Sequence, residues 1–174
     1  MRKVCVELPF GVAIHEDTIA IGGRYGAITL VSYATFEPFR VFKDLEGTAP
    51  GKIANAISLC FTPDGKNLII GEHIVPRMSV FTLEGVFVRC VGERQLSEGN
   101  KDTAIAAGGE IIVADWGTNR VCVFSPDGST LLRCWGRELS SSPDAQFLKP
   151  VALAVWGPFL YVMEDDSPRV QVFC

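Results

Sequence analysis

The chain has 174 residues, 16 basic and 20 acidic side chains, a formal net charge of −4 and 48% apolar residues, a composition ordinary for a globular domain. Its charges are interspersed rather than blocked, which argues against a nucleic-acid or anionic-membrane footprint. No apolar run reaches the ~18 residues of a membrane span, and the start Met-Arg-Lys-Val-Cys-Val-Glu lacks a signal-peptide apolar stretch, so a cytoplasmic location is expected.

Residues 1–7 read as a lone strand. A first unit starts at Pro9-Phe-Gly-Val-Ala-Ile14, turns at His15-Glu-Asp17, continues through Ile19 to Val31 as two strands and ends near Pro38-Phe-Arg-Val-Phe42. The second has Ile57–Phe61, a hairpin at Thr62-Pro-Asp-Gly65, strands around 67–71 and 77–82, a turn at Leu83-Glu-Gly85 and an outer strand at 86–91. The third begins at Thr103-Ala-Ile-Ala106, turns at Gly108-Gly109, and has strands at 110–114 and 120–124. Pro126-Asp-Gly128 then leads to an outer strand at 130–135. A fourth unit holds three strands. In each case alternating or continuous apolar runs are separated by Gly, Pro, Asp and Asn, the residues that tight turns favour. The unit limits are approximately 8–56, 57–102, 103–149 and 150–174.

One pattern organises these units. Ile111-Ile-Val-Ala-Asp-Trp-Gly-Thr-Asn-Arg-Val-Cys-Val-Phe124 recurs as Leu160–Phe173 and as Leu68–Phe81. Asp115 matches Glu164 and Glu72, and Arg120 matches Arg169 and Arg77. A fainter copy, Ile19–Val31, has Gly23 in the acid's place, and Pro76 and Pro168 stand where the third unit has Asn119. A repeat in the forties made of short strands predicts an all-β fold, a β-propeller of four-stranded antiparallel blades. Three blades are complete and a fourth is three-stranded. Residues 1–7 would close such a ring if they paired beside the last strand; otherwise the chain would be a piece of a larger ring, the favoured expectation, with the missing blades supplied by a longer chain or a second copy.

None of Cys5, Cys60, Cys90, Cys122, Cys134 and Cys174 forms a C-x-x-C pair and all sit in apolar runs, so they read as small buried hydrophobes rather than ligands or disulfides. The repeated acid and arginine read as structure rather than catalysis. A catalytic group is needed once, whereas a carboxylate that holds turn amides and pairs with a guanidinium is useful in every unit.

Ala114-Asp-Trp-Gly-Thr-Asn-Arg-Val-Cys-Val-Phe124 with Pro126-Asp-Gly128 resembles the NHL repeat, as does the lead-in Phe147-Leu-Lys-Pro-Val-Ala-Leu-Ala-Val155, although Ala152 stands where that family has Gly. The resemblance implies a channel lined by each unit's first strand, with the long connections and the turns after each second strand on one face. Arg24-Tyr25, His73-Ile74, Trp116-Gly117 and Asp165-Asp166 would lie there, with connections 43–56, 92–102 and 136–149 around them. It also implies a non-enzymatic protein-binding scaffold without cofactor, in some members the substrate-recognising end of a ubiquitin ligase. Arg24, Tyr25, His73, Trp116 and Asp165 are the candidate binding residues, although Trp116 could instead pack between turns.

Two alternatives follow from the same resemblance. Single-stranded RNA would need stacking aromatics on a positive face. Trp116 and Tyr25 sit near Arg24, Arg94, Lys101, Arg137 and Lys149, but Glu93, Glu98, Asp102, Glu138, Asp144, Asp165 and Asp166 share those loops. A calcium-dependent hydrolase of the gluconolactonase type would need oxygen ligands at the channel mouth, where Asn55, Asp102 and Asp166 are the candidates. His15 and His73, the two histidines, fall on opposite faces, which excludes a three-histidine zinc site within one chain. No nucleophile elbow, P-loop or dinucleotide motif is present. Ser140-Ser-Ser-Pro143 is a polar loop and a conceivable phosphorylation site.

Overall fold

The computed structural model describes residues 3–136 and 146–174, with Lys101 through its backbone only. Four antiparallel sheets follow one another along the chain. Blade one is β1 (Pro9–His15), β2 (Thr18–Gly23), β3 (Ile28–Ser32) and β4 (Pro38–Phe42). Blade two is β5 (Ala56–Phe61), β6 (Asn67–Glu72), β7 (Met78–Thr82) and β8 (Phe87–Val91). Blade three is β9 (Asn100–Ile105), β10 (Ile111–Asp115), β11 (Arg120–Phe124) and β12 (Leu131–Gly136), and blade four is β13 (Pro150–Trp156), β14 (Phe159–Glu164) and β15 (Val170–Phe173).

The near-continuous apolar runs in the second strands are explained by burial on both faces. Leu68 and Ile70 point into a core shared with Ile28, Leu30 and Phe42 of blade one, while Ile69 points into one shared with Ile111 and Val113 of blade three. Ile112 in turn packs with Leu160 and Val162 of blade four. Three interblade cores thus hold the array, and each blade has an incoming face toward its predecessor and an outgoing face toward its successor. The inner strands β1, β5, β9 and β13 pack side by side in that order. Ser58 Oγ donates to Thr103 Oγ1 (3.1 Å) between β5 and β9, and the Leu153 amide of β13 donates to Asp102 Oδ2 (2.7 Å) of β9. Every inner strand carries a register shift near its start, at Pro9/Gly11, Ala56/Ser58, opposite Ala114/Asp115 and at Pro150/Ala152, a bulge that bends it.

Three expectations need correction. Residues 3–8 form no strand and pair with no sheet edge; the chain instead passes the end of β2, where the Leu8 carbonyl accepts from the Arg24 amide (3.1 Å). Residues 3–8 therefore do not close a ring, and among the described residues β14 is the one strand that pairs with β15. The cysteines are not all free: Cys122 and Cys134 are disulfide-bonded, because they stand directly opposite one another on β11 and β12 with Cα atoms 4.1 Å apart. Cys90 occupies the place in blade two that Cys134 has in blade three, but it faces Ser79 and stays a thiol. Finally, β5 and β9 begin at Ala56 and Asn100, slightly before the expected unit limits.

Candidate functional site

The repeated acid sits at the last residue of the second strand, fully buried, and its oxygens hold the connection that leads into the same blade's first strand. Glu72 accepts from the Ala54 amide (2.9 Å), Arg77 Nε (3.0 Å) and Ser79 Oγ (2.5 Å). Asp115 accepts from the Ser97 amide (3.1 Å) and hydroxyl, Thr118 Oγ1 (2.6 Å) and Arg120 Nη2 (2.7 Å). Glu164 accepts from the Leu148 amide (2.7 Å), Arg169 Nε (2.7 Å) and Gln171 Nε2 (2.7 Å). Each arginine then donates to a carbonyl of that connection: Arg77 to Ala49 (2.9 Å), Arg120 to Gln95 (3.1 Å) and Arg169 to Gln146 (2.7 Å). The acid and arginine form a clasp between blade and loop, the role expected of them from their repetition. For Glu164, burial opposes the charge, but Arg169, Gln171 and the Leu148 amide outweigh it and hold the carboxyl below its ordinary range.

Blade one lacks the clasp and shows why. A Cβ on Gly23 would lie 2.7 Å from the Glu7 carbonyl, so backbone occupies the space that the acid fills elsewhere. The position of the arginine is taken by Ala27, whose carbonyl accepts from the Gly23 amide (2.8 Å).

The turns that follow β2, β6, β10 and β14 occupy the same place in each blade. In blades one and three they are short 3-10 turns, at Arg24–Gly26 and Trp116–Thr118. Asn119 closes the second in a left-handed conformation (φ 56°), and its Oδ1 accepts from the Lys149 amide (2.9 Å). Tyr25 is exposed, with φ 63° and the Arg24 guanidinium 5.5 Å from its ring centre. Ile74 and Asp165 are also exposed, whereas His73 is half-buried and its carbonyl accepts from Gly99 (2.9 Å). Trp116 lies over Gly99, and Lys149 Nζ stands 3.8 Å from its ring centre. It packs between turns and has one ring face covered by a cation, rather than standing free for stacking. The Asp165 amide donates to the Lys149 carbonyl (2.8 Å), so contacts run continuously from His73 through Gly99, Trp116 and Lys149 to Asp165. Arg137, Glu138, Asp144 and Ser140–Pro143 lie outside the described residues, as does the Lys101 side chain.

The oxygen candidates for calcium separate. Asp102 is committed to the Thr103 and Leu153 amides, and burial raises its pKa although those two bonds lower it. Asp166 is exposed on its turn. Asn55 Oδ1 is buried without a hydrogen-bond partner among the described residues, as is Asn100 Oδ1, a residue that the motif did not single out. Among the described residues no three His, Cys, Asp or Glu side chains are grouped to hold a metal. Burial pushes the Cys60 thiol far up, with Asp102 adding to the shift, so it is not a poised nucleophile.

A cleft of about 570 Å³ also opens between blades three and four, lined by Ala106, Ile112, Trp135, Val155, Phe159 and Phe173. Among the described residues blade four has no outer strand to match β12.

These features define a four-bladed β-propeller. The structure is similar to the computationally designed Ika4 protein (TM-score 0.67, 13% identity, 98% of this chain and 93% of that one) and to the designed Ika8 protein (0.64, 14%, 95% and 45%). It is also similar to a structural-genomics protein of unknown function from Bacteroides thetaiotaomicron (TM-score 0.75, 14% identity, 94% of this chain and 46% of that one). At such identities the likeness establishes the fold alone. No protein-family model matches the sequence, and no curated protein does.

Proposed function

We propose that the chain is an NHL-type propeller and a non-enzymatic scaffold that binds another protein through the face carrying Arg24, Tyr25, His73, Ile74 and Asp165. The observation that carries this reading is a repeated frame with varied side chains upon it. The acid–arginine clasp recurs in blades two to four, while the residues after the acid change from His73-Ile74 to Trp116-Gly117 to Asp165-Asp166, and blade one, without the clasp, has Arg24-Tyr25 there. Mixed charge around an aromatic and an aliphatic, held on rigid turns, suits protein recognition. In an NHL protein such a face would select the substrate of a ubiquitin ligase, with the ligase chemistry residing in other segments. The clasp itself supports NHL kinship, because it gives the motif's acid and arginine a shared task.

The test is capture of binding proteins from cell extract on the immobilised chain and on its Tyr25→Ala/Ile74→Asp variant, with nuclease present, followed by titration of a captured protein after purification. We expect retention by the parent chain and at least about tenfold weaker binding by the variant, as central interface contacts produce. Binding that nuclease or moderate salt abolishes would replace this reading with single-stranded RNA recognition. The buried Asn55 and Asn100 oxygens favour a second reading, a calcium-dependent hydrolase; heat on calcium titration together with lactone or ester turnover would establish it. A cytoplasmic location belongs to the proposal as well. The Cys122–Cys134 bond stands against that location, since such bonds are rare in reducing compartments.

A further inference from the structure

We infer that two copies of this chain associate head to tail, the outgoing face of blade four of each meeting the incoming face of blade one of the other, to complete a ring of eight sheets. Positions that are equivalent in the repeat differ in burial at the two ends of the array. Val170 and Val172 of β15 correspond to Met78 and Val80 in blade two and to Val121 and Val123 in blade three, which all lie buried in the seam with the next blade. In blade four they are 56% and 53% exposed, and Trp156 beside them is 79% exposed.

Blade one shows the converse. Val12 and Ile14 correspond to Leu59 and Phe61, which are buried against blade one, yet here they are 65% and 60% exposed, while Ile19, Thr29 and Val31 of the same face are buried. Val41 continues that surface and is also exposed. None of these residues carries a charge, so both faces have the chemistry of an interior seam and neither has that of a solvated sheet.

The internal seams also show what covers such a face. In all three, an outgoing face meets an incoming one, and nowhere do two of the same type meet. Among the described residues each end of the array presents one face of opposite type outside the three seams, so a second copy complements it at both ends at once. Two identical head-to-tail seams related by a twofold axis close the ring.

The test is the mass of the 174-residue chain by size-exclusion chromatography with light scattering, for the parent and for two single variants. Val12→Asp spoils the face of blade one and Val172→Asp that of blade four; both sites are exposed in the single chain, so folding is kept, as circular dichroism checks. We expect twice 18.9 kDa for the parent and 18.9 kDa for each variant alone. An equimolar mixture of the variants should recover dimer, because one seam in that pair remains intact. A monomeric parent would overturn the inference and point to further blades on the same polypeptide. A species larger than the dimer would mean that the seam does not close at two copies. Dimerisation of either variant alone would mean that like faces meet, and failure of the mixture to pair would equally exclude the head-to-tail arrangement.

Discussion

Blade one and blade two have the same four strands in the same order, yet their mouths are held by different means. In blade two a buried carboxylate, Glu72, gathers an amide, a hydroxyl and a guanidinium. In blade one the corresponding Gly23 leaves room for the backbone of residues 7–8, and Ala27, which has no group to pair with an acid, stands in the arginine's place. The acid and arginine are present together or absent together. That is what the cost of a lone buried charge requires, because neither group is tolerated without the other.

The largest effect should come from breaking the best-buried clasp. Arg77 is 5% exposed over a Glu72 that is fully buried, so Arg77→Ala should cost about 3–5 kcal/mol in urea unfolding, as an orphaned buried charge does. Arg169, 42% exposed, gives the contrast, because Glu164 keeps Gln171 and the Leu148 amide and water can reach the arginine's place; Arg169→Ala should cost less, about 1–3 kcal/mol. Equal losses would show that the clasps do not act through burial.

Asp115→Ala removes the acceptor of the Ser97 amide and of Thr118, while Arg120, 24% exposed, can turn to water. A loss of roughly 1–3 kcal/mol is expected, and an unchanged melting temperature would rule out a structural role for the acid. Installing the acid in blade one tests the comparison from the other side. Gly23→Asp should also destabilise, by about 1–3 kcal/mol, because the new side chain meets the Glu7 carbonyl and not an arginine. Stabilisation would mean that residues 7–8 yield easily.

The smallest effect concerns pH. Glu164 has a folded-state pKa held below its ordinary value, so its stabilisation is complete above the unfolded-state pKa, about 4.3. It is lost as the pH falls through the folded value. The difference in urea midpoint between the parent and Glu164→Gln should therefore be present at neutral pH and shrink below about pH 4; a difference that persists there would deny the carboxylate its charge-based role.

The clasp was legible in the sequence because it repeats. Asp115 and Arg120, Glu72 and Arg77, and Glu164 and Arg169 keep one spacing, and only a shared geometry explains that. The disulfide was not legible, because the pairing of Cys122 with Cys134 depends on the register of β11 and β12 and on a shift between Val123 and Phe124. Trp116 read equally well as a surface anchor or as packing, since its neighbours Gly99 and Lys149 come from connections whose paths no periodicity predicts. Val12 and Val172 lie in apolar runs like those of the inner blades, and no run by itself discloses that these two are exposed.

The clasps have a kinetic consequence. Glu72 and Asp115 each hold an amide 18 residues earlier in the chain, and Glu164 one 16 residues earlier. Each contact therefore closes a short loop at small entropic cost, and can form within its own blade before neighbours dock. Blades two to four can then organise as separate units and join in sequence, as repeat arrays do. Blade one has no such local lock and depends on its seam with blade two. Amide hydrogen exchange should find β1 to β4 opening first, the array unzipping from that end while the clasped blades remain shut.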